Sequence, residues 1–381
     1  MSPPSRRNFL RWVNVLSVSL YAAGLLAAEP ASPVPAANYD VCVYGGNASG
    51  VMAACAAAKE GAKVILVEPS RWLGGMTGGG LMHIDWGREE AVSGSTRPIL
   101  KKDYKDAQYR LAFAEMLKSA GVTVLFEHRV SAVQKVDGVI RTIDLDLAPF
   151  DDYGCTTAKP IKALARVIQA KVFIDCSYEG DLMARAGVDY AFGREAKSAY
   201  GESLAGAQPP MSVYAIDPYV KAGDPQSGLL PGLQSTPVAP VGEADKLTMG
   251  YGFRWRFVFK GESLPIEPPA NYDPKQFELY RRAFKQGVDI LSGRVLRGTV
   301  DGWEKSGGRV YSGGAGNLAR ALFAPTNYGH NARYPDGDYA SRAQLWKEQQ
   351  DFVRGMTHFL RTDPSVPAKQ KEIALSAGLE K

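Results

Sequence analysis

Tyr39-Asp40-Val41-Cys42-Val43-Tyr44-Gly45-Gly46-Asn47-Ala48-Ser49-Gly50 decides the architecture of this chain. Its first six residues are near-continuously apolar, as in a strand buried on both faces of a parallel sheet. Gly45 to Gly50 then turn the chain into an alanine-rich helix that runs to about Lys59 and stops at Gly61. Lys63 to Val67 reads as a second buried strand, closed by Glu68. Strand, glycine turn, helix and strand make a βαβ unit of the expected length. The fold class that follows is α/β, a Rossmann-type domain with a parallel sheet.

A dinucleotide turn needs glycine where the backbone bends, where it approaches the pyrophosphate, and where helix packs on strand. Gly45 and Gly50 fill the first and third places, and Asn47 stands in the second. Gly46 takes up part of the backbone requirement, and Ser49 lies on the first turn of the helix. The helix start near Ala48 aims its positive end and free N–H groups at the phosphates. Glu68 is placed to accept hydrogen bonds from a ribose diol, and its charge repels a ribose phosphate, which disfavours NADP. A glycine turn in an unrelated α/β protein is the competing reading of these residues alone.

Outward from this unit, Tyr109, Phe113, Met116, Leu117 and Ala120 follow helical spacing within Tyr104 to Ala120, with Gly121 as the stop. Strands are predicted at Val122–Phe126, Ala132–Val136 and Val139–Leu145, with Asp137-Gly138 as a hairpin turn. A further apolar strand, Lys171–Asp175, leads into Cys176-Ser177-Tyr178-Glu179-Gly180-Asp181 and a helix ending near Gly187. Residues 205–245, rich in Pro, Gly and Ser, read as a long loop or a domain crossover. Phe253, Trp255, Phe257 and Phe259 alternate with Arg254, Arg256 and Lys260 as in a half-buried strand. Asp273-Pro274 caps a helix to about Phe284, and a last helix begins at Ser341 with Gln344 completing a capping box.

The 381 residues, 45% apolar and 22% charged, suit a globular chain with a sizeable core. The net charge of +5 falls to +3 without residues 1–38, where Arg6, Arg7 and Arg11 outweigh Glu29. That balance, with no block of like charge, excludes a nucleic-acid partner. Cys42, Cys55, Cys155 and Cys176 are too scattered for a disulfide framework or a zinc site, and Cys42 and Cys55 read as small core residues. His128, His330 and His358 have no partner at ligand spacing, so no metal site is expected. Ser5-Arg6-Arg7-Asn8-Phe9-Leu10-Arg11 precedes an apolar stretch, Trp12 to Ala28, too short for a membrane span. Residues 1–28 therefore read as a cleaved signal peptide of twin-arginine type, with the general secretory route as the alternative. No membrane span is expected after cleavage, and the location is periplasmic or secreted.

Leu73-Gly74-Gly75-Met76-Thr77-Gly78-Gly79-Gly80 follows the carboxylate closely. Here the chain resembles FAD-dependent oxidoreductases with the glutathione-reductase-like Rossmann fold, and more narrowly the bacterial FAD-dependent oxidoreductase family. Ile174-Asp175-Cys176-Ser177-Tyr178-Glu179-Gly180-Asp181-Leu182 resembles the family's Asp-Ala-Thr-Gly-Asp-x-Asp-Leu segment. Gly193-Arg194-Glu195 and Tyr200–Gly206 resemble the stretch after it. The resemblance implies a parallel sheet with a β-meander, and FAD held non-covalently, since Arg71-Trp72 stands where covalent relatives carry a histidine. It also implies cofactor contacts at Gly74, Gly75, Met76, Thr77, Gly180 and Asp181, with the backbone at His128–Val130 passing the adenine. Asn47 for the second glycine, and Cys176-Ser177-Tyr178-Glu179 for Ala-Thr-Gly-Asp, depart from the family pattern. Relatives also continue to a second glycine-containing, flavin-closing segment, so the chain is expected to be a fragment or a truncated relative.

The domains expected are a linker at 29–38, an FAD-binding domain at 39–195 and a second, α+β substrate or cap domain at 196–381. The function expected is oxidation of a small organic substrate, in one version derived from carbohydrate, with hydride passing to flavin and an external acceptor reoxidising it. His83 is a candidate general base oriented by Asp85, or else a buried structural histidine. Arg194 is a candidate catalytic group paired with Glu195, or else part of a structural ion pair, and Arg254 either reaches substrate or lies on a solvated strand face. Two other functions stay open: a non-catalytic nucleotide-binding relative, and an NAD-dependent enzyme, against which Leu73–Gly80 argues.

Overall fold

The strand β1, Ala36–Tyr44, lies inside a six-stranded sheet of order β3-β2-β1-β6-β5-β4. The computed structural model describes residues 34–79, 88–92, 94–100, 105–208, 216–248, 255–258, 262–287, 309–312, 330–376 and 378–379. β1 begins three residues ahead of the expected Tyr39, because Ala36, Ala37 and Asn38 already pair with Val167, Ile168 and Gln169. Helix α1 follows at Ala48–Lys59, then β2 at Val64–Glu68. Every residue of β2 is buried, as a central parallel strand requires, and each aliphatic one contributes about 2 kcal/mol of transfer free energy.

A short helix α2, Gly75–Gly78, precedes α3 at Asp106–Ser119, which buries Tyr109, Phe113 and Leu117 as its spacing predicts. Next come β3, Thr123–Phe126, β4, His128–Val136, β5, Val139–Leu147, and β6, Lys162–Asp175. β1, β2, β3 and β6 run parallel, and β4, β5 and β6 form an antiparallel meander. β6 is nine residues longer than the expected Lys171–Asp175. Its first part carries Lys162, Arg166 and Gln169 among Ala, Leu, Val and Ile, an interrupted apolar pattern that conceals a strand whose role is to close the meander. Val43, Val51, Leu66 and Phe113 fill the core on the α1–α3 side, while Cys42, Tyr44, Val67 and Ile143 fill the one toward the meander.

The second half holds α4, Asp181–Arg185, α5, Lys197–Tyr200, and a largely irregular run through the described part of 205–245. β7, Trp255–Val258, lies within the strand predicted around Phe253. Asp273 caps a 3-10 turn, Pro274–Phe277, and the α-helix proper, α6, is Glu278–Lys285. β8 is Arg309–Ser312, and the long helix α7 is Tyr339–Thr362. Asp338 caps α7 by accepting the Ser341 N–H at 2.7 Å. Gln344 reaches Glu348 instead of turning back to the cap, so the expected capping box does not form. α8, Ala368–Ser376, and β9, Gly378–Leu379, complete the described chain. Phe277, Tyr280, Phe284, Phe352 and Phe359 gather into an aromatic core between α6 and α7. From Pro35 to Lys381 the chain packs as one unit. No helix among the described residues is long and apolar enough to cross a membrane.

Candidate cofactor-binding site

The carboxyl ends of β1, β2 and β6 meet at one edge of the sheet, and the glycine turn lies there. Gly45 donates its N–H to Val67 O at 2.8 Å, which turns the chain sharply off β1. A Cβ on Gly50 would overlap the Gly45 carbonyl oxygen. The first turn of α1 therefore rests directly on the turn, the packing role assigned to the third glycine.

Asn47, in the place of the second glycine, is the N-cap of α1. Its Oδ1 accepts the Gly50 N–H at 3.0 Å and the Ser49 hydroxyl at 2.7 Å. Its Nδ2 donates to the Cys176 carbonyl and so ties α1 to the turn after β6. A cap of this kind is worth about 1 kcal/mol. The amides of Ala48 and Ser49 have no carbonyl ahead of them in the helix, and the 12 residues of α1 lend them positive potential. That end of α1 suits a diphosphate.

Glu68 closes β2 with its side chain buried against the turn. It accepts the Ser70 N–H at 2.7 Å and also the Gly46 N–H. Burial raises its proton affinity, partly offset by those hydrogen bonds. A carboxylate offers about four acceptor sites, and the Gly46 and Ser70 groups do not use them all, so the oxygens retain capacity for a ribose hydroxyl.

The second glycine run is joined to the first. Gly74 donates to the Gly46 carbonyl at 2.8 Å, and Asn47 and Gly74 form a parallel bridge. Gly74 and Gly75 have φ of +98 and +53, conformations that glycine adopts without the strain of a Cβ. Arg110 of α3 braces the run by donating to Gly78 O at 2.6 Å. Met76 is exposed and Thr77 half-buried at this edge.

The turn after β6 is organised by Asp175. Its Oδ1 accepts the Ser177 N–H at 2.9 Å and hydroxyl at 2.7 Å, and its Oδ2 accepts the Met183 N–H at 2.9 Å. Tyr178 extends from this turn, and its hydroxyl accepts the Met76 N–H at 3.0 Å. Gly180 takes a left-handed φ of 66 and starts α4. Asp181 is turned away from the glycine runs: its Oδ1 meets Arg342 at 2.7 Å and Arg185 at 3.1 Å. Beside it, Tyr334 donates to Glu179 at 3.2 Å. The start of α7 thus grips the closing turn.

Val130 is buried, and its backbone groups are engaged. Its N–H donates to the Tyr44 hydroxyl at 3.2 Å, and its carbonyl accepts the Tyr339 hydroxyl at 2.7 Å. An adenine edge reading the Val130 N–H would have to displace the Tyr44 hydroxyl. Tyr339 is itself held between Arg129 and Arg185, 4.1 and 4.5 Å from its ring centroid.

His83, Asp85 and Arg254 lie outside the described residues. Arg194 pairs with Asp245 rather than with Glu195: its Nε donates to Oδ1 at 2.8 Å and Nη2 to Oδ2. This bidentate bridge, led by the Arg194 hydrogen bond, holds the Asp245 carboxyl below its usual range. Arg71 donates to the Phe150 and Asp151 carbonyls, which fixes the strand-end loop before Leu73. Among the described residues no group of three or more His, Cys, Asp or Glu gathers to hold a metal. Cys42 and Cys55 are buried as expected, and burial pushes the Cys42 thiol up to about 12. Tyr178, Tyr44, Tyr339, Arg342 and Asp175 are site residues that no motif singles out, although Tyr44, Asp175 and Tyr178 lie inside quoted stretches.

A parallel sheet carrying a glycine turn, a carboxylate at the end of the second strand and a three-strand meander defines a dinucleotide-binding protein of the Rossmann class. Residues 40–370 match the model of the family described as FAD dependent oxidoreductase, and the chain belongs to that family. The cofactor of the family is FAD, and the bare glycine turn, the α1 amino end and Glu68 fit its diphosphate and ribose. No curated protein matches the chain. Among solved structures, thioredoxin reductase from T. acidophilum is similar at 18% identity over 36% of this chain and 34% of that one, with a TM-score of 0.25. L-proline dehydrogenase from P. horikoshii gives 14% identity, 43% and 59% coverage and a TM-score of 0.28. Bacillithiol disulfide reductase from Bacillus cereus gives 16% identity, 36% and 39% coverage and a TM-score of 0.27. The chain spans from about a third to three fifths of the length of these structures.

Proposed function

We propose that this chain holds FAD non-covalently at the two joined glycine runs and oxidises a small organic substrate, with an external acceptor taking the electrons. The observation that carries this is the Gly74–Gly46 hydrogen bond, which sets both runs, the α1 amino end and Glu68 around one stretch of bare backbone. Bound flavin supplies the hydride-accepting ring. The residues of this chain do the rest: the Ala48 and Ser49 amides take the diphosphate, Glu68 takes the ribose hydroxyls, and His83, oriented by Asp85, receives the substrate proton. Non-covalent attachment is favoured by Arg71, whose guanidinium is spent on backbone carbonyls next to the glycine run. Export through the twin-arginine signal at Arg6-Arg7 delivers the folded, loaded protein to the periplasm or the medium.

The test is the visible absorption spectrum of the purified chain before and after acid precipitation. A yellow protein that releases free FAD into the supernatant is the expected result. A protein that stays colourless after incubation with FAD overturns the reading. A second reading, a relative that folds without holding flavin, is favoured by the engaged backbone of Val130, and the same spectrum decides between the two. Replacement of Arg6 and Arg7 by lysine is expected to keep the precursor in the cytoplasm, which fractionation and blotting would show.

A further inference from the structure

Tyr178 is an exposed aromatic, with 61% of its surface open, yet it is not loose. Its hydroxyl accepts the Met76 N–H at 3.0 Å across 102 residues of sequence. The same hydroxyl stands over the bare face of Gly75: a Cβ there would run into the Tyr178 oxygen and lie 2.7 Å from Asn47 Cβ. The side chain thus covers the strip of backbone between Asn47 and Gly75 on which the proposed function seats the cofactor. A ring buried for stability would be packed on both faces, whereas this one is exposed and, among the described residues, is anchored by one neutral hydrogen bond.

We propose that Tyr178 occupies the flavin seat of the cofactor-free protein and is displaced when the cofactor binds, so that it sets the affinity and speed of loading. This inference rests on the FAD reading above and deepens it. Two features of the chain support it. The turn that carries Tyr178 is fixed from below by Asp175 and from behind by Arg342 on Asp181, so the backbone stays while the side chain rotates. The displaced bond is exchanged for water or cofactor contacts, and a neutral hydrogen bond of this kind changes an equilibrium by about fivefold. The apparent affinity falls by the fraction of molecules in which the seat is open.

The test uses the full chain and two variants, Tyr178→Phe and Tyr178→Ala, with FAD affinity read by flavin-fluorescence titration and association by stopped flow. Amide exchange at Met76 is followed in the cofactor-free proteins, and circular dichroism verifies that each variant is folded. The expected results are an affinity about fivefold tighter for Tyr178→Phe, a further gain and faster association for Tyr178→Ala, and faster Met76 exchange in both. FAD binding by the variants alone also supports the proposal. Wild type that binds FAD, with variants binding equally or more weakly, overturns the proposal and leaves the flavin reading intact. Folded wild type and variants that all fail to bind FAD overturn both.

Discussion

Gly50 and Gly45 are so close that the α-carbon of one faces the carbonyl oxygen of the other with no room for a methyl group between them. Gly50→Ala therefore forces α1 off the end of β1. Overpacking of this kind costs about 1–3 kcal/mol, and the better helix propensity of alanine recovers about 1 kcal/mol at most. A thermal melt of the cofactor-free protein should fall by several degrees, and FAD affinity should fall with it. Unchanged melting and binding would mean that the turn is not packed as described.

Glu68 gives a pH signature. Burial raises its folded-state proton affinity above the ordinary 4.5. The folded protein then holds more protons than the unfolded chain just above that value. The stability this group contributes is complete below 4.5 and is lost as pH rises through its raised value. Glu68→Gln imitates the protonated form, so the melting temperature of the variant relative to wild type should improve as pH is raised from acid to neutral. At neutral pH the same variant should bind FAD at least about tenfold more weakly, because a charge-assisted hydrogen bond to the ribose is lost. Parallel melting curves at every pH would contradict the buried carboxylate.

Asp181 and Arg342 form a buried ion pair. Both side chains are buried, 10% and 7% open, and Arg185 shares the carboxylate. Arg342→Met strands part of that charge, and a broken buried pair costs about 3–5 kcal/mol, here about 3 because Arg185 remains. Combining Arg342→Met with Asp181→Asn should recover part of the loss in urea unfolding. A double variant as unstable as the sum of the single ones would show that the two do not interact.

Asp245→Asn removes the bidentate bridge to Arg194, whose side chain is about one third open. The lowered carboxyl contributes stability above the ordinary 3.8 that is lost as pH falls through its folded value. The variant should be less stable than wild type by about 1 kcal/mol at neutral pH, with the gap closing in acid. Turnover of the loaded variant should change little if Arg194 is structural. Loss of turnover without loss of stability would restore a catalytic role to Arg194.

What the sequence made readable is local. β1, the turn, α1 and β2 are each signalled by runs of apolar residues or by glycines within a few positions, and Glu68 and Gly74 follow from their offsets. The first part of β6 is not legible, because Lys162, Arg166 and Gln169 interrupt its apolar run and only its pairing with β5 makes it a strand. The partner of Arg194 is not its sequence neighbour, because adjacent residues on extended chain point to opposite sides. Glu195 therefore lies away from the guanidinium, and Asp245, paired across an isolated bridge, lies beside it. The grip of Arg342 on Asp181 spans 161 residues, a distance at which no periodicity or spacing reports contact. The Tyr178 hydroxyl on Met76 is hidden for the same reason, although both residues stand inside recognised motifs.

β6 also ties two frames of reference together. Its 14 residues serve as the last rung of the meander and as the neighbour of β1 beside the glycine turn, on one unbroken backbone. Deleting a single residue near Val167, where both pairings overlap, would invert the inward-facing set beyond that point. It would also draw Asp175 and the loop it scaffolds about 3.3 Å out of alignment with Asn47. The hairpin at Asp137-Gly138, which joins only β4 to β5, carries no such double duty. An insertion there should leave the pairing of β6 with β1 intact.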